Sequence, residues 1–173
     1  DTRPPTCTWN EPEPDTVVTC PASVTDVEGN SYEVIKIGNL CWCKENLKTT
    51  TYRDGTPIAE ETDDVAWVNL STAAHSGYNN DATKVDTFGR LYNWYAISNL
   101  KGICPAGWRV ATPNDMDALS AKAAEYNLAD PTLALKSVDY WPTNNPTGET
   151  GFVALPAGTR NATQGFFEGL GRS

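Results

Sequence analysis

Histidine and methionine are almost missing from this sequence: its 173 residues hold one of each, His75 and Met116. A single imidazole leaves a Ser-His-Asp arrangement with only one available base and rules out a multi-histidine metal centre. Basic residues are also scarce, 13 Lys and Arg against 22 Asp and Glu, for a formal charge of −9. Nucleic acid and anionic lipid both require a basic footprint, so neither fits as a partner. No apolar run approaches the ~20 residues of a membrane span, and nothing at Asp1 reads as a signal peptide. What remains is 39% hydrophobic and 20% charged. That is enough for one domain with a real core, and too balanced for a disordered acidic tail.

The cysteines are Cys7, Cys20, Cys41, Cys43 and Cys104. Cys41 and Cys43 form a C-x-C with no second close pair and no nearby His, which is not zinc spacing. In a Pro-, Thr- and Asn-rich chain these cysteines point to an oxidising, extracellular or cell-surface setting. Five is an odd number, so at least one thiol is left over, and the sequence does not choose among the pairings. In a strand Cys41 and Cys43 share a face opposite Trp42, where a bond between them is strained, so different partners are expected. A redox-active C-x-C is the functional alternative, with only Lys44 adjacent to lower a thiol pKa.

Residues 1–23 hold five of the twelve prolines and little periodic hydrophobicity, an extended lead-in. The folded domain is expected over 24–173. Glu28-Gly29-Asn30 is a turn signal, Tyr32 to Ile37 a strand and Leu40 to Cys43 its partner, so 24–43 reads as a hairpin. Tyr52 to Asp64 reads as loop. Phe88 to Ser98 fits either a buried strand or a short helix. Thr112 to Tyr126 is the clearest helix, with Thr112 as N-cap, Pro113 at the first position and Asp115 completing a capping box. Met116, Leu119, Ala123 and Tyr126 then share one face. Pro131 to Ser137 predicts a second short helix, Asp139 to Gly151 a polar loop and Phe152 to Leu155 a last strand. One main helix (about 113–126), short strands and long loops make an α+β domain.

Four blocks resemble a known family. VTDVEGNSYEVIKIGNLCWCKENLKTTTYRDGTPI (24–58), GRLYNWYAI (89–97), ICPAGWRVATPNDMDAL (103–119) and GFVALPAGTR (151–160) are similar, in order and spacing, to the Fibrobacter succinogenes major paralogous domain. The resemblance implies a C-type lectin-like fold, a twisted antiparallel sheet carrying long loops. It also implies a secreted or surface lipoprotein or adhesin-like protein of Bacteroidetes or Fibrobacteres. The family pattern runs on to a closing strand that commonly carries a Cys. By that comparison the domain is C-terminally incomplete at Ser173, and Cys104, or whichever Cys pairs with that strand, is the odd thiol.

Candidate sites lie on loops. Glu60, Glu61, Asp63 and Asp64, and separately Asn79, Asn80, Asp81 and Asp86, offer the hard oxygens that Ca²⁺ takes; the same residues also make ordinary solvated turns. Trp42, Trp94 and Trp108 sit among apolar neighbours and read as core. Trp67 and Trp141 have polar surroundings. They read as platforms for a sugar ring, with Asn79, Asn80, Asp81 and Asn144 meeting its hydroxyls, or as caps on the core edge. His75, beside Ser76 and Gly77, reads as an exposed loop residue. No pair of carboxylates is placed across a cleft for glycoside cleavage. The active-site cysteine motif of the related formylglycine-generating enzymes does not match around Cys41, Cys43 or Cys104, so the residues present argue against an enzyme.

Asn69-Leu70-Ser71 and Asn161-Ala162-Thr163 fit the N-glycan acceptor pattern, and would stay bare in the bacterial source the resemblance implies. Asp15-Thr16-Val17 resembles the O-glycosylation acceptor of Bacteroidetes, which makes Thr16 a candidate. The functional expectation is a secreted or cell-surface, non-enzymatic binding or adhesion module. It would recognise a glycan, polysaccharide or surface protein through the loops Glu60–Asp86 and Asp139–Gly151, with Ca²⁺ as its one candidate cofactor. The alternatives are a structural or tip subunit of an extracellular filament, paired with other copies or pilin-like subunits, and a diversified receptor.

Overall fold

The structure, a computed structural model, describes residues 18–141 and 146–171. Its first sheet is the expected hairpin with one strand added. β1 (Ser23–Thr25), β2 (Ser31–Ile37) and β3 (Leu40–Cys43) run antiparallel in the order β1-β2-β3. The β1–β2 turn is made by Asp26, whose Oδ1 accepts from the backbone N–H of Glu28 and Asn30 at 3.0 and 2.9 Å. Gly29, at φ 88°, supplies the left-handed residue the turn requires. Tyr32, fully buried, donates its hydroxyl to Asp26 at 2.7 Å and ties the turn to the core.

A second sheet joins β4 (Ala59–Glu60), β5 (Ala74–Ser76) and β6 (Leu91–Tyr92), with β4–β5 parallel and β5–β6 antiparallel. The parallel pair needs a crossover, which α1 (Asp64–Asn69) supplies. Next come a 3₁₀ turn at Tyr78–Asn80, α2 (Val85–Phe88) and α3 (Trp94–Ile97). α4 (Pro113–Ala124) and α5 (Pro131–Leu135) follow, and a hairpin of β7 (Ala157–Arg160) and β8 (Phe167–Leu170) closes the described chain. The fold is thus mixed α and β, its strands among the described residues arranged in three small sheets.

α4 starts as its sequence predicts. Thr112 Oγ1 accepts from Asp115 N–H at 3.1 Å, Asp115 Oδ2 accepts from Thr112 N–H at 2.6 Å, and the Arg109 guanidinium forks onto the same carboxylate at 2.6 and 3.1 Å. The helix packs through Leu119 on Ile37 and Trp42, and Trp42 meets Phe152 edge-on at 5.5 Å. A larger cluster gathers Val18, Cys41, Tyr52, Ile58, Ile103 and Trp108 beneath the first sheet.

Several expectations are corrected. Phe88 to Ser98 is no single element: Asn93 accepts from Ala96 N–H at 3.0 Å and starts a new helix immediately after β6. That helix is one turn long and buries Ala96, so Trp94 is 56% exposed instead of in the core. Met116 and Tyr126 are likewise exposed; the buried side of α4 is Asp115, Leu119 and Ala123. Phe152 to Leu155 is not a strand, because Val153 has a positive φ and only Ala154 bridges, to Lys136; the strand forms after Pro156. Within the expected loop Tyr52 to Asp64, Ala59–Glu60 is a strand.

Cys20 is bonded to Cys41. Cys104 is also disulfide-bonded, so it is not the odd thiol. The free thiol among the described residues is Cys43, half-buried at the end of β3, where burial first and then the Glu45 charge push its pKa up to about 12. Cys7 lies outside the described residues.

Candidate functional site

The crossover helix α1 and the β7–β8 hairpin build the site between them. Asp63 is the N-cap of α1, its Oδ1 accepting from Ala66 N–H at 2.7 Å, while Glu61 Oε1 accepts from Asp63 N–H at 2.8 Å. Arg160 on β7 is buried, its side chain 1% exposed. It donates Nε to Gly165 O at 2.9 Å, Nη1 to Glu61 O and Nη2 to Asp64 Oδ1 at 3.1 Å. Its guanidinium lies 4.3 Å from the Trp67 ring centroid and 4.7 Å from that of Phe167. Gly165, at φ 79°, lets the hairpin turn press against α1, where an added Cβ would collide with the Asp64 backbone.

The other wall comes from the 3₁₀ turn. Asn79 and Asn80 both adopt φ 55°, a left-handed conformation that asparagine tolerates better than other side chains. Asn80 Nδ2 donates to Thr62 O at 2.9 Å and so binds this turn to the Asp63 segment. Tyr78 packs on Phe167 with centroids 5.4 Å apart. Together these elements enclose an open groove of about 530 Å³ lined by Asp63, Asp64, Asn79, Asn80, Phe166 and Phe167. Strand parity turns Phe167 inward and leaves Phe166 41% exposed at the rim.

The structure therefore joins part of both loop clusters, Asp63 and Asp64 with Asn79 and Asn80. The remaining candidates go elsewhere. Glu60 pairs with Arg90 at 3.5 Å. Asp81 caps its own turn, accepting from Thr83 Oγ1 at 2.6 Å, and these hydrogen bonds hold its carboxyl below the ordinary value. Asp86 lies exposed on α2. Among the described residues no three His, Cys, Asp or Glu side chains gather to hold a metal ion. Asn144 and Thr16 lie outside the described residues.

Both tryptophan platforms change character. Trp67 is buried, with the Arg160 guanidinium stacked over its ring. Trp141 is half-buried, donating Nε1 to Ala154 O at 2.7 Å with the Lys136 ammonium 4.6 Å from its ring. It lines a larger apolar groove of about 660 Å³ with Phe88, Tyr92, Val110 and Leu155. Two polar side chains of that groove are committed to backbone, Asn46 to Phe88 O and Arg90 Nε to Lys48 O, each at 2.9 Å.

His75 is not an exposed loop residue. It is 2% exposed in β5, with Nδ1 3.4 Å from Arg90 Nη1 and its ring edge-on to Tyr92 at 6.2 Å. Burial first, then the Arg90 charge, push its pKa below the usual histidine range. Ser76 is buried on the opposite face of the strand, and its Oγ has no hydrogen-bond partner among the described residues, so the two make no nucleophile–base pair.

Tyr78, Arg160, Phe166 and Phe167 of the site are absent from the sequence candidates. The available signal is the turn-rich Asn161-Ala162-Thr163-Gln164-Gly165 between two strand-like runs, which sets Phe166 and Phe167 side by side where β8 begins.

Small sheets, short helices and a loop-built polar groove define a mixed α/β domain whose surface is shaped by its connections. The chain belongs to the family of the Fibrobacter succinogenes major domain, whose model matches residues 35–171. No curated protein and no solved structure matches it.

Proposed function

We propose that this domain is a secreted or cell-surface, non-enzymatic binding module of C-type lectin-like architecture that recognises a glycan. The observation that carries the reading is the meeting of the Asp63–Asp64 and Asn79–Asn80 segments with the exposed ring of Phe166 around one open groove. An aromatic face stacks on sugar C–H bonds, while carboxylate and amide oxygens accept from hydroxyls. The Cys20–Cys41 bond supports an extracellular setting.

The test is a binding screen of the domain against soluble glycans and insoluble polysaccharides, with and without EDTA. Saturable binding that survives EDTA is expected, since among the described residues no three His, Cys, Asp or Glu side chains gather at the groove to hold a cation. Phe166→Ala and Asn80→Ala are each expected to weaken it roughly tenfold, the equivalent of about 1.4 kcal/mol. Undiminished binding by both folded variants would move the site elsewhere. A blank screen would remove the glycan reading.

A second reading has its own observation. β7 and β8 form a two-stranded sheet with no further strand on either edge among the described residues, and such an edge accepts a strand from another chain. On this reading the domain is a filament subunit or tip. Polymeric particles in native extracts favour it, and a discrete monomer counts against it.

A further inference from the structure

We infer that the sugar the groove selects is one bearing a free ammonium group, a hexosamine unit without its acetyl. This rests on the glycan reading and narrows it. Two exposed carboxylates, Asp63 and Asp64, line the groove, and neither Lys nor Arg does among the described residues. Each carboxylate commits Oδ1 to the fold, Asp63 to Ala66 N–H and Asp64 to the Arg160 guanidinium. Oδ2 of each stays available to a ligand. The nearest cation, Arg160, is buried and held by two carbonyls and Asp64, so it does not greet an incoming anion.

The lining of the groove supplies the groups that such a sugar needs. Arg160 places a cation against the rings of Trp67 and Phe167 and beside a carboxylate, and the groove lining offers a ring, Phe166, and a carboxylate, Asp63, that are both exposed. A hexosamine matches it group by group. The ring's C–H face covers Phe166, the hydroxyls reach the amides of Asn79 and Asn80, and the ammonium pairs with the Asp63 carboxylate. A uronic acid or other anionic sugar brings its charge against the Asp63 carboxylate, which no Lys or Arg among the described residues pairs, and is turned away. An N-acetylated hexosamine keeps the ring contacts and loses the ion pair.

The experiment is calorimetric titration of the domain with a glucosamine hexamer, the N-acetylglucosamine hexamer and an oligouronate of equal length, at low and high salt. The glucosamine hexamer is expected to bind about fivefold tighter than its acetylated form, the scale of one exposed ion pair, with no uronate binding. The preference should shrink at high salt. It should also disappear in Asp63→Asn, which removes the charge while retaining a good helix N-cap. Phe166→Ala should weaken both hexosamine oligomers alike.

Equal or tighter binding of the acetylated hexamer overturns the inference and leaves the glycan reading standing. Binding confined to neutral glycans of the wider screen overturns it in the same way. An oligolysine that competes fully, in a protein whose hexamer binding ignores Phe166→Ala, also overturns it by showing general attraction to an acidic surface. If no glycan binds at all, the parent reading falls with it.

Discussion

Replacing Arg160 with methionine keeps most of the side chain's volume and removes its charge and all its donors. Three acceptors then lose their partner: Gly165 O, Glu61 O and Asp64 Oδ1. Two ring contacts, at 4.3 Å to Trp67 and 4.7 Å to Phe167, also lose their cation. Asp64 is half exposed and its carboxylate returns to water, so the cost comes mainly from the two carbonyls, at about 1–3 kcal/mol each, and methionine's contact with the two rings offsets some of that. The expected loss is about 3–4 kcal/mol out of a total that for natural domains is roughly 5–15. At about 2–4 °C per kcal/mol for a chain of this size, Tm should fall by roughly 6–16 °C. Urea unfolding followed by tryptophan fluorescence reads the loss directly, and hydrogen exchange should show β7 and β8 opening before the first sheet. Arg160→Lys, which keeps the charge but not the fork, should recover less than half of the loss. A methionine variant within about 1 kcal/mol of the parent would refute the idea that this guanidinium holds the hairpin to α1.

Three further outcomes are expected. Asp115→Ala removes the capping box of α4 and the Arg109 fork, so urea unfolding at pH 7 should show about 1–2 kcal/mol lost. Burial alone raises the Asp115 carboxyl, but hydrogen bonds from Thr112 and Arg109 outweigh it and hold the pKa below 3.8; the stabilisation is therefore complete above that value and fades as pH falls through the folded one, and an unchanged acid limb in the variant would contradict this. His75, whose pKa burial and Arg90 hold below 6.5, stays neutral in the fold while the unfolded chain takes up a proton, so stability should decline as pH falls below about 6.5. His75→Gln should flatten that part of the curve; a slope identical to the parent's from about pH 8 to 5.5 would assign it to other groups. Finally the Cys43 thiol, pushed up to about 12 by burial and Glu45, should react with a disulfide reagent at about pH 8 far more slowly in the native protein than in urea, and equal rates would show an exposed thiolate.

Structure whose causes lie close together in the chain is well displayed in the sequence. The β1–β2 turn is decided by Asp26, Gly29 and Asn30, and the start of α4 by Thr112, Pro113 and Asp115, so propensity and capping chemistry are readable there. The site is a different matter. Arg160 reaches Glu61 and Asp64 across 99 and 96 residues, and no local pattern encodes such a meeting. Asp63 reads as a loop ligand because its capping role appears only once the six-residue α1 is known to follow it. The same helix explains Trp67: Asp64, Val65 and Asn69 face solvent on this short turn while the indole faces in. His75 reads as a loop residue because β5 has three residues, all buried, and three are too few to show a strand's alternation. Asn79 and Asn80 are legible as candidates, since asparagine pairs mark turns, but nothing in the sequence says that Phe166 stands opposite them.

The Cys20–Cys41 bond has a mechanical meaning. Tension applied at Cys20 passes through a covalent link into the middle of β3. The loop it closes holds β1, β2 and the Asp26 turn. Those elements are short-circuited out of the load path, so pulling cannot peel β1 from β2 one pair at a time. Load continues only past Cys41, and what it must shear next is the end of β3 from β2, where Trp42 opposite Ile35 and Cys43 opposite Val34 lie beyond the staple. Reduction moves the first yielding point back to the three-residue β1, so an oxidised domain should hold under drag that a reduced one gives way to.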